Sequence, residues 1–367
     1  MTIGIDVRLW GKTGVGRYIR NLCVNLQRID NKNSYVLFAN SEDLLDVESK
    51  ISNPKWKIVI ANIRWHTLSE QINFLKILNA EKLDLMHFPY ISVPIFYKRK
   101  FVVTVHDLIP FHFPTGKAST LPKPIYWMKR IGYERVIKSA VSNCQKIIVP
   151  LNAVKDDISN TLKIKKDKIA VTLEGADEET QLTKSDLPIK LDFEKYILYV
   201  GNAYPHKNLD RLIRAFLDLN LNNVRLVLVG SKDHFYEKLE REVTSKRIVF
   251  WGRATDEELS FLYKNALVYV QPSLMEGFGL TVLEAMKNKC LVIASDIPSL
   301  REVTKGEALF FNPRSEKELS KQLGLVIKGE SGFEDIIEKA YEHSLEFSWK
   351  KMAEETLRIY ESSISIR

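Results

Sequence analysis

The sequence predicts an α/β protein built from two doubly wound domains, and three observations carry that reading. Short β-rich apolar runs alternate with longer helical patterns along all 367 residues. Most of the runs are apolar on both faces, as in Tyr196-Ile197-Leu198-Tyr199-Val200 and Arg225-Leu226-Val227-Leu228-Val229, which is the pattern of parallel strands covered by helices on both sides. The chain is also longer than one ordinary core supports.

In order, the first half offers strands near 2–7, 34–39, 56–60, 84–88, 101–106, 146–150 and 168–173. The second half offers 196–201, 224–229, 247–251, 267–271, 291–294 and 308–311. The stretches between them have helical spacing and suit crossover connections. The polar segment 175–193 interrupts the rhythm and reads as a linker, which puts the domain boundary at 178/179. Ligands are then expected at the carboxyl ends of the strands.

Composition narrows the partners. A hydrophobic fraction of 45% is that of a globular protein. No apolar run approaches the roughly 18 residues of a membrane span. Asp6 and Arg8 stand where a signal peptide needs apolar residues, so the N-terminus reads as a first strand. Cys23, Cys144 and Cys290 are scattered without metal-type spacing, which suggests buried thiols in a reducing compartment, the cytoplasm. The net charge of +8 fits a partner that carries phosphate, and no recognition module accompanies it to favour nucleic acid.

The stretch from Pro272 to Met286 is the most informative. A strand-like run precedes it, Glu276-Gly277-Phe278-Gly279-Leu280-Thr281 forms a tight turn, and Leu280, Leu283 and Met286 have helical spacing. Glycines let backbone approach a ligand closely, and the first N–H groups of a helix attract phosphate. Glu276 and Glu284 suit neutral hydroxyls instead. Phosphate donors flanked by hydroxyl acceptors describe a nucleotide-sugar site. Thr281-x-x-Glu284 equally fits a capping box, and from this stretch alone the two readings stand level.

Elsewhere, Gly11-Lys12-Thr13-Gly14-Val15-Gly16 resembles a phosphate loop, but the spacings fail. A Walker loop needs glycine at Asp6, and a dinucleotide fingerprint needs it at Ile19. What remains is a glycine-rich strand-to-helix turn suited to a ligand or to tight packing. His87, near the end of the fourth strand, reads as a site residue or, the commoner outcome, as a structural histidine. His106-Asp107 leaves the fifth strand at its carboxyl end, where either His106 donates to a reacting sugar with Asp107 setting its orientation or tautomer, or the pair hydrogen-bonds the loop backbone; the position favours the first. Lys207, after Gly201-Asn202-Ala203-Tyr204-Pro205-His206, sits at a strand-to-helix turn where an ammonium can meet a diphosphate. The segment 117–138 mixes Lys123, Lys129, Arg130 and Arg135 with Tyr126, Trp127, Met128 and Ile131. It reads either as a crossover helix with a basic face or as a helix resting on anionic lipid. No Asp-x-Asp, His-Glu-x-x-His or Cys-x-x-Cys occurs, so no metal is expected to hold the diphosphate.

Glu276-x7-Glu284 with its internal Gly-Phe-Gly, the Gly201…Lys207-Asn208 turn, Gly14-Val15-Gly16 and Val105-His106-Asp107 together resemble the retaining GT-B glycosyltransferases of family 4. The nearest likeness is to bacterial mannosyltransferases of surface-polysaccharide assembly. The resemblance covers nearly the whole chain. It implies Rossmann-like domains at 1–178 and 179–346 facing a central cleft, with the tail at 347–367 crossing back to the first domain. It implies that Glu276 holds donor-sugar hydroxyls, Glu284 the ribose, and Lys207 the diphosphate, helped by backbone around Phe278, Gly279 and Leu280. Gly14 and Gly16 would lie near the phosphates and the acceptor, and His106 beside the transferred sugar. The arginine common after the first glycine is here Asn202, with Arg253 as its substitute, and Glu174 stands where many relatives carry asparagine. The implied reaction moves a mannosyl group from GDP-mannose to a saccharide or lipid-linked acceptor. A UDP-sugar donor, or a two-domain module that binds a sugar nucleotide without turning it over, is the alternative.

Overall fold

The computed structural model describes residues 1–113, 123–176, 195–221, 223–329 and 332–365. The chain divides into two compact units, Met1–Gly175 with Ser348–Arg367, and Ala176–Phe347. Most of the expected linker, the domain boundary and residues 117–122 of the basic segment lie outside the described residues.

The first unit holds a parallel sheet of β1 (Thr2–Asp6), β2 (Ser34–Ala39), β3 (Trp56–Ile60), β4 (Leu85–Phe88), β5 (Phe101–Thr104), β6 (Lys146–Val149) and β7 (Ile169–Val171). Its order is β3-β2-β1-β4-β5-β6-β7. The central strands β4 and β5 are buried at every residue, which explains their unbroken apolar runs. Helices α1 (Thr13–Ile29), α2 (Leu44–Lys50), α3 (Leu75–Ala80), α4 (Ile109–His112), α5 (Lys123–Asn143) and α6 (Asn152–Leu162) connect them. Before α3 the chain forms a π-helical turn, Glu70–Phe74, that runs on into it.

The second unit holds β8 (Lys195–Val200), β9 (Val224–Val229), β10 (Ile248–Gly252), β11 (Val268–Gln271), β12 (Val292–Ser295) and β13 (Leu309–Phe311), all parallel, in the order β10-β9-β8-β11-β12-β13. Its helices are α7 (Leu209–Asp218), α8 (His234–Glu242), α9 (Asp256–Asn265), α10 (Leu280–Lys287), α11 (Pro298–Thr304), α12 (Glu316–Ile327) and α13 (Glu334–Ser344). Leu212 and Phe216 of α7 share one apolar core with Leu319 and Leu323 of α12 and with the strand residues Ile197, Leu226 and Val268.

Helix α14 (Trp349–Ser365) belongs to the first unit and packs on α1. Its Tyr360 is fully buried and meets His87 Nδ1 at 2.6 Å, while His87 Nε2 meets Thr104 Oγ1 at 2.8 Å. Burial pushes the His87 imidazole down to about 3, so this histidine is a neutral structural group. A second buried network fixes the loops beyond β1 and β3. Arg8 donates to Asp6 Oδ2 at 2.7 Å, to Glu70 Oε1 at 2.8 Å and to the Ile63 carbonyl at 2.9 Å, and its guanidinium lies 3.7 Å over the Phe74 ring. Among the described residues no helix is long and apolar enough to cross a membrane.

Candidate functional site

The strand order of the second unit reverses between β8 and β11, and in open α/β sheets the carboxyl ends of strands at such a switch point are where ligands bind. Both of its charged motifs leave from there. After β8 the chain turns through Gly201 (φ 152°), where a Cβ would lie 2.7 Å from Tyr199 Oη. It then forms a 3₁₀ turn over Pro205–Lys207. Asn208 adopts a left-handed conformation (φ 60°) and caps α7 without a side-chain bond. Its amide donates instead to the carbonyls of Pro272 and Pro313, at 3.0 and 2.9 Å. That bond ties the β8 loop to the β11 loop, as does Leu274 N donating to the His206 carbonyl at 2.8 Å.

The result is a contact between residues 69 positions apart. Lys207 Nζ donates to both oxygens of Glu276, at 2.7 and 2.9 Å. Glu276 Oε1 also accepts from Ser273 Oγ at 2.6 Å and from Gln271 Nε2 at 2.5 Å. The single Tyr269 hydroxyl hydrogen is in turn shared between Gln271 Oε1 and Thr281 Oγ1. Burial pushes the Glu276 carboxyl up, but Lys207 and Ser273 outweigh it and hold the group below its ordinary value. Glu276 is therefore an ionised, oriented carboxylate, 8% exposed, with a part-exposed ammonium beside it. His206 is pushed down to about 4 by burial and by Lys207, and stays neutral.

Gly279 (φ 96°) is the N-cap of α10, and a Cβ there would lie 2.9 Å from Leu300 Cδ2. Phe278 is buried, edge-on to Phe347 with centroids 5.8 Å apart. The capping-box alternative fails. Helix α10 begins at Leu280, no side chain caps it, Thr281 accepts from Tyr269, and Glu284 accepts from Tyr263 Oη at 3.1 Å. Gly277, Phe278 and Gly279 thus shape the backbone turn into α10, where Val282 N and Leu283 N donate to the Gly279 carbonyl and the N–H groups of Leu280 and Thr281 precede any intrahelical acceptor. Asn202 takes up its own loop, accepting Tyr199 Oη on its carbonyl at 2.7 Å. Arg253 follows the left-handed Gly252 and is exposed, with its Nε donating to Ser231 Oγ at 3.1 Å. The sequence assigned no role to Gln271, Ser273 or Asn208. The run of polar residues closing a buried strand, Gln271 and Ser273 around Pro272, was the available signal.

In the first unit the order reverses between β1 and β4. The expected glycine turn after β1 is the start of α1 itself, so Gly14 and Gly16 are helical. They differ. A Cβ on Gly16 would lie 2.4 Å from the Trp10 carbonyl oxygen, so its glycine serves close packing, whereas Gly14 has open space. His106 follows β5 edge-on to Tyr18, with centroids 4.9 Å apart. Its Nδ1 meets Glu174 Oε1 at 3.1 Å and its Nε2 meets the Pro89 carbonyl at 3.0 Å. The orienting carboxylate is therefore Glu174 and not Asp107, whose Oδ1 accepts from Ile109 N at 2.8 Å. Both ring nitrogens face acceptors, which suits an imidazolium. Burial pushes the ring down, but Glu174 outweighs it and the histidine titrates above its ordinary value.

Two family models match consecutive parts of the chain, Glycosyltransferase Family 4 over residues 12–180 and Glycosyl transferases group 1 over residues 184–343. The O-antigen chain mannosyltransferase RfbU of Salmonella typhimurium is 27% identical over 278 residues, covering 75% of this chain and 73% of that protein. O-antigen chain mannosyltransferase B of Escherichia coli is 27% identical over 274 residues, 71% of this chain and 69% of that protein. Among solved structures, a sucrose-phosphate synthase from Thermosynechococcus elongatus superposes with a TM-score of 0.81 at 19% identity over 100% of both chains. Anabaena HepE, solved in complex with UDP and glucose, gives 0.76 at 17% identity over 99% of this chain and 100% of that one.

Proposed function

We propose a donor, a stereochemical course and an acceptor for this chain, which belongs to the group 1 glycosyltransferases of family 4, has their GT-B fold and is a glycosyltransferase. The reaction is transfer of a mannosyl group from GDP-mannose to a saccharide or lipid-linked saccharide, with retention at the anomeric carbon. The single observation that carries the reading is the Lys207–Glu276 pair at the switch point of the second unit, beside the N-terminus of α10. Lys207 and the first N–H groups of α10 meet the diphosphate, with Arg253 and Asn202 on the same sheet edge. Glu276 accepts from the sugar hydroxyls and Glu284 from the ribose. The charge of the leaving group is met by these groups without a metal. Mannose is preferred because two of the relatives are O-antigen mannosyltransferases.

Glu276 is held by Lys207, Ser273 and Gln271 and acts as a positioning carboxylate. Retention then follows from attack on the face the diphosphate leaves, with a departing phosphate oxygen taking the acceptor proton. The first unit supplies the acceptor side through Gly14, Gly16 and His106. To donate to the sugar, His106 Nε2 must exchange the Pro89 carbonyl for a substrate oxygen. Helix α5 exposes Ile125, Trp127, Met128 and Ile131 beside Lys129 and Arg135, which supports peripheral contact with an anionic membrane on the cytoplasmic side.

Purified protein, incubated with GDP-mannose and a mannoside acceptor, should yield a product heavier by one hexose, with an α-anomeric proton signal. Transfer from no nucleotide sugar, or inversion, would overturn the reading. A UDP-sugar donor is the second reading, favoured by the HepE structures in complex with UDP and with UDP-glucose. Running both donors in parallel separates the two.

A further inference from the structure

The first unit carries a cleft of about 500 Å³ that the reaction as described does not use. It lies at the carboxyl ends of β1, β2 and β3, lined by Lys12 after β1, Asn40 and Glu42 after β2, and Asn62, Arg64 and Trp65 after β3. Its two amides are each half occupied by backbone. Asn40 Nδ2 donates to the Arg8 carbonyl at 2.7 Å, which leaves its oxygen as an acceptor. Asn62 Oδ1 accepts from Ser41 N at 2.7 Å, which leaves its NH₂ as a donor. The Arg8 network, bonded to the Ile63 carbonyl, anchors this wall. Arg64 is exposed, Trp65 is half-buried, and Lys12 pairs with Glu42 at 3.1 Å on the rim.

Amides held in opposite senses, a guanidinium and an indole are the chemistry that receives a hydroxylated ring. Its hydroxyls both donate and accept, and its C–H face stacks on an aromatic. The position says which ring. From β2 to β5, where His106 emerges, are three strand spacings of about 4.8 Å, so the cleft lies about 14 Å along the sheet edge from the imidazole. We infer that this cleft is a subsite for a sugar ring of the acceptor remote from the hydroxyl that reacts, so that the acceptor is an oligosaccharide laid along the sheet edge from β5 to β2. The inference rests on the reading of the first unit as the acceptor half.

Two measurements on the full chain test it. Acceptor KM with GDP-mannose is compared for methyl mannoside and α-linked mannotriose, in the wild type, Trp65→Ala and Asn62→Ala. The expected result is a KM roughly tenfold lower for mannotriose in the wild type, the value of about 1.4 kcal/mol of extra contact, and a ratio near one in either variant. Saturation-transfer NMR without donor gives a second readout: mannotriose receives signal from the wild type and loses it in Trp65→Ala. Should Trp65→Ala misfold by thermal scan, Arg64→Ala replaces it in both arms. A tenfold ratio that survives the substitutions overturns the inference. So does a cleft whose backbone amide signals shift with inorganic phosphate and not with mannotriose. If no sugar is transferred while the NMR contact persists and depends on Trp65, the subsite stands and the proposed donor reaction is what fails.

Discussion

Replacing Lys207 by methionine removes the ammonium while keeping most of the aliphatic stem, and its effects can be worked from the pair it breaks. Deleting one partner of a buried ion pair costs about 3–5 kcal/mol, because the other charge stays in the interior uncompensated. Here Glu276 keeps the bonds from Ser273 and Gln271, and Lys207 is 17% exposed, so the cost belongs at the lower end, about 3 kcal/mol. In a folding unit the size of Ala176–Phe347, each kcal/mol moves Tm by about 2–4 °C, so calorimetry should show a drop of about 6–12 °C. Transfer should fall further, by about 10²–10³ in kcat, the loss expected for one preorganised group facing developing charge. The double variant Lys207→Met with Glu276→Gln separates the two effects. Removing the stranded carboxylate charge should recover part of the Tm, while kcat stays at or below the single-variant level. A Lys207→Met enzyme with wild-type kcat/KM refutes the assignment of this crevice. A double variant less stable than Lys207→Met refutes the account of the buried pair.

Other perturbations probe the first unit. Gly16→Ala should destabilise, since its Cβ meets backbone oxygens of Leu9 and Trp10 at 2.6 and 2.4 Å. Gly14→Ala, with open space and helical backbone, should gain about 0.5–1 kcal/mol by thermal scan yet lose activity if a ligand approaches there. Glu174→Gln should lower the His106 pKa, read by ¹⁵N NMR titration of the ring; an unchanged titration removes Glu174 as its partner. The sign for His106 follows from its raised value: its contribution to stability is present below 6.5 and is lost as pH rises through the folded value, and Glu174→Gln should flatten that alkaline loss. For His87 the sign is opposite. Its value falls from 6.5 to about 3, so the unfolded chain binds the extra proton in that window and stability declines on acidification by up to about 1.4 kcal/mol per pH unit. Tyr360→Phe, which strands His87 Nδ1 in the core, should cost about 1–3 kcal/mol and speed amide exchange along α14.

Much of this was legible in the chain. The strands were, because parallel strands buried on both faces leave short, nearly unbroken apolar runs, and the carboxyl ends of those strands were the expected ligand edge. What the sequence hid were contacts whose partners lie far apart or whose meaning turns on a register of one or two residues. Asp107 is adjacent to His106, yet Glu174, 68 residues on, makes the bond, because β7 ends two strands away from β5 and its loop returns across the sheet edge. Thr281-x-x-Glu284 has capping-box spacing, but the left-handed Gly279 starts α10 so that Thr281 falls inside the first turn rather than at its cap. Glu70 is fully buried, since Arg8 provides a charge for it that periodicity cannot reveal.

The self-pairing of Lys207 and Glu276 also bears on what the proposed crevice selects. A ligand that takes only one partner leaves the other buried without its counter-charge. A bare nucleoside diphosphate satisfies the ammonium and strands the carboxylate, and a free sugar does the reverse. A nucleotide sugar exchanges both at once, phosphate oxygen for the ammonium and hydroxyls for the carboxylate, so the desolvation cost of opening the pair is offset only by the complete donor. GDP-mannose should therefore bind more tightly than GDP, and Glu276→Gln should compress the difference, because a neutral amide tolerates the loss of Lys207 better than a carboxylate does. Isothermal titration with the two ligands reads this directly. If GDP binds as tightly as GDP-mannose in the wild type, the pair is a structural clamp beside the ligand and not the device that recognises it.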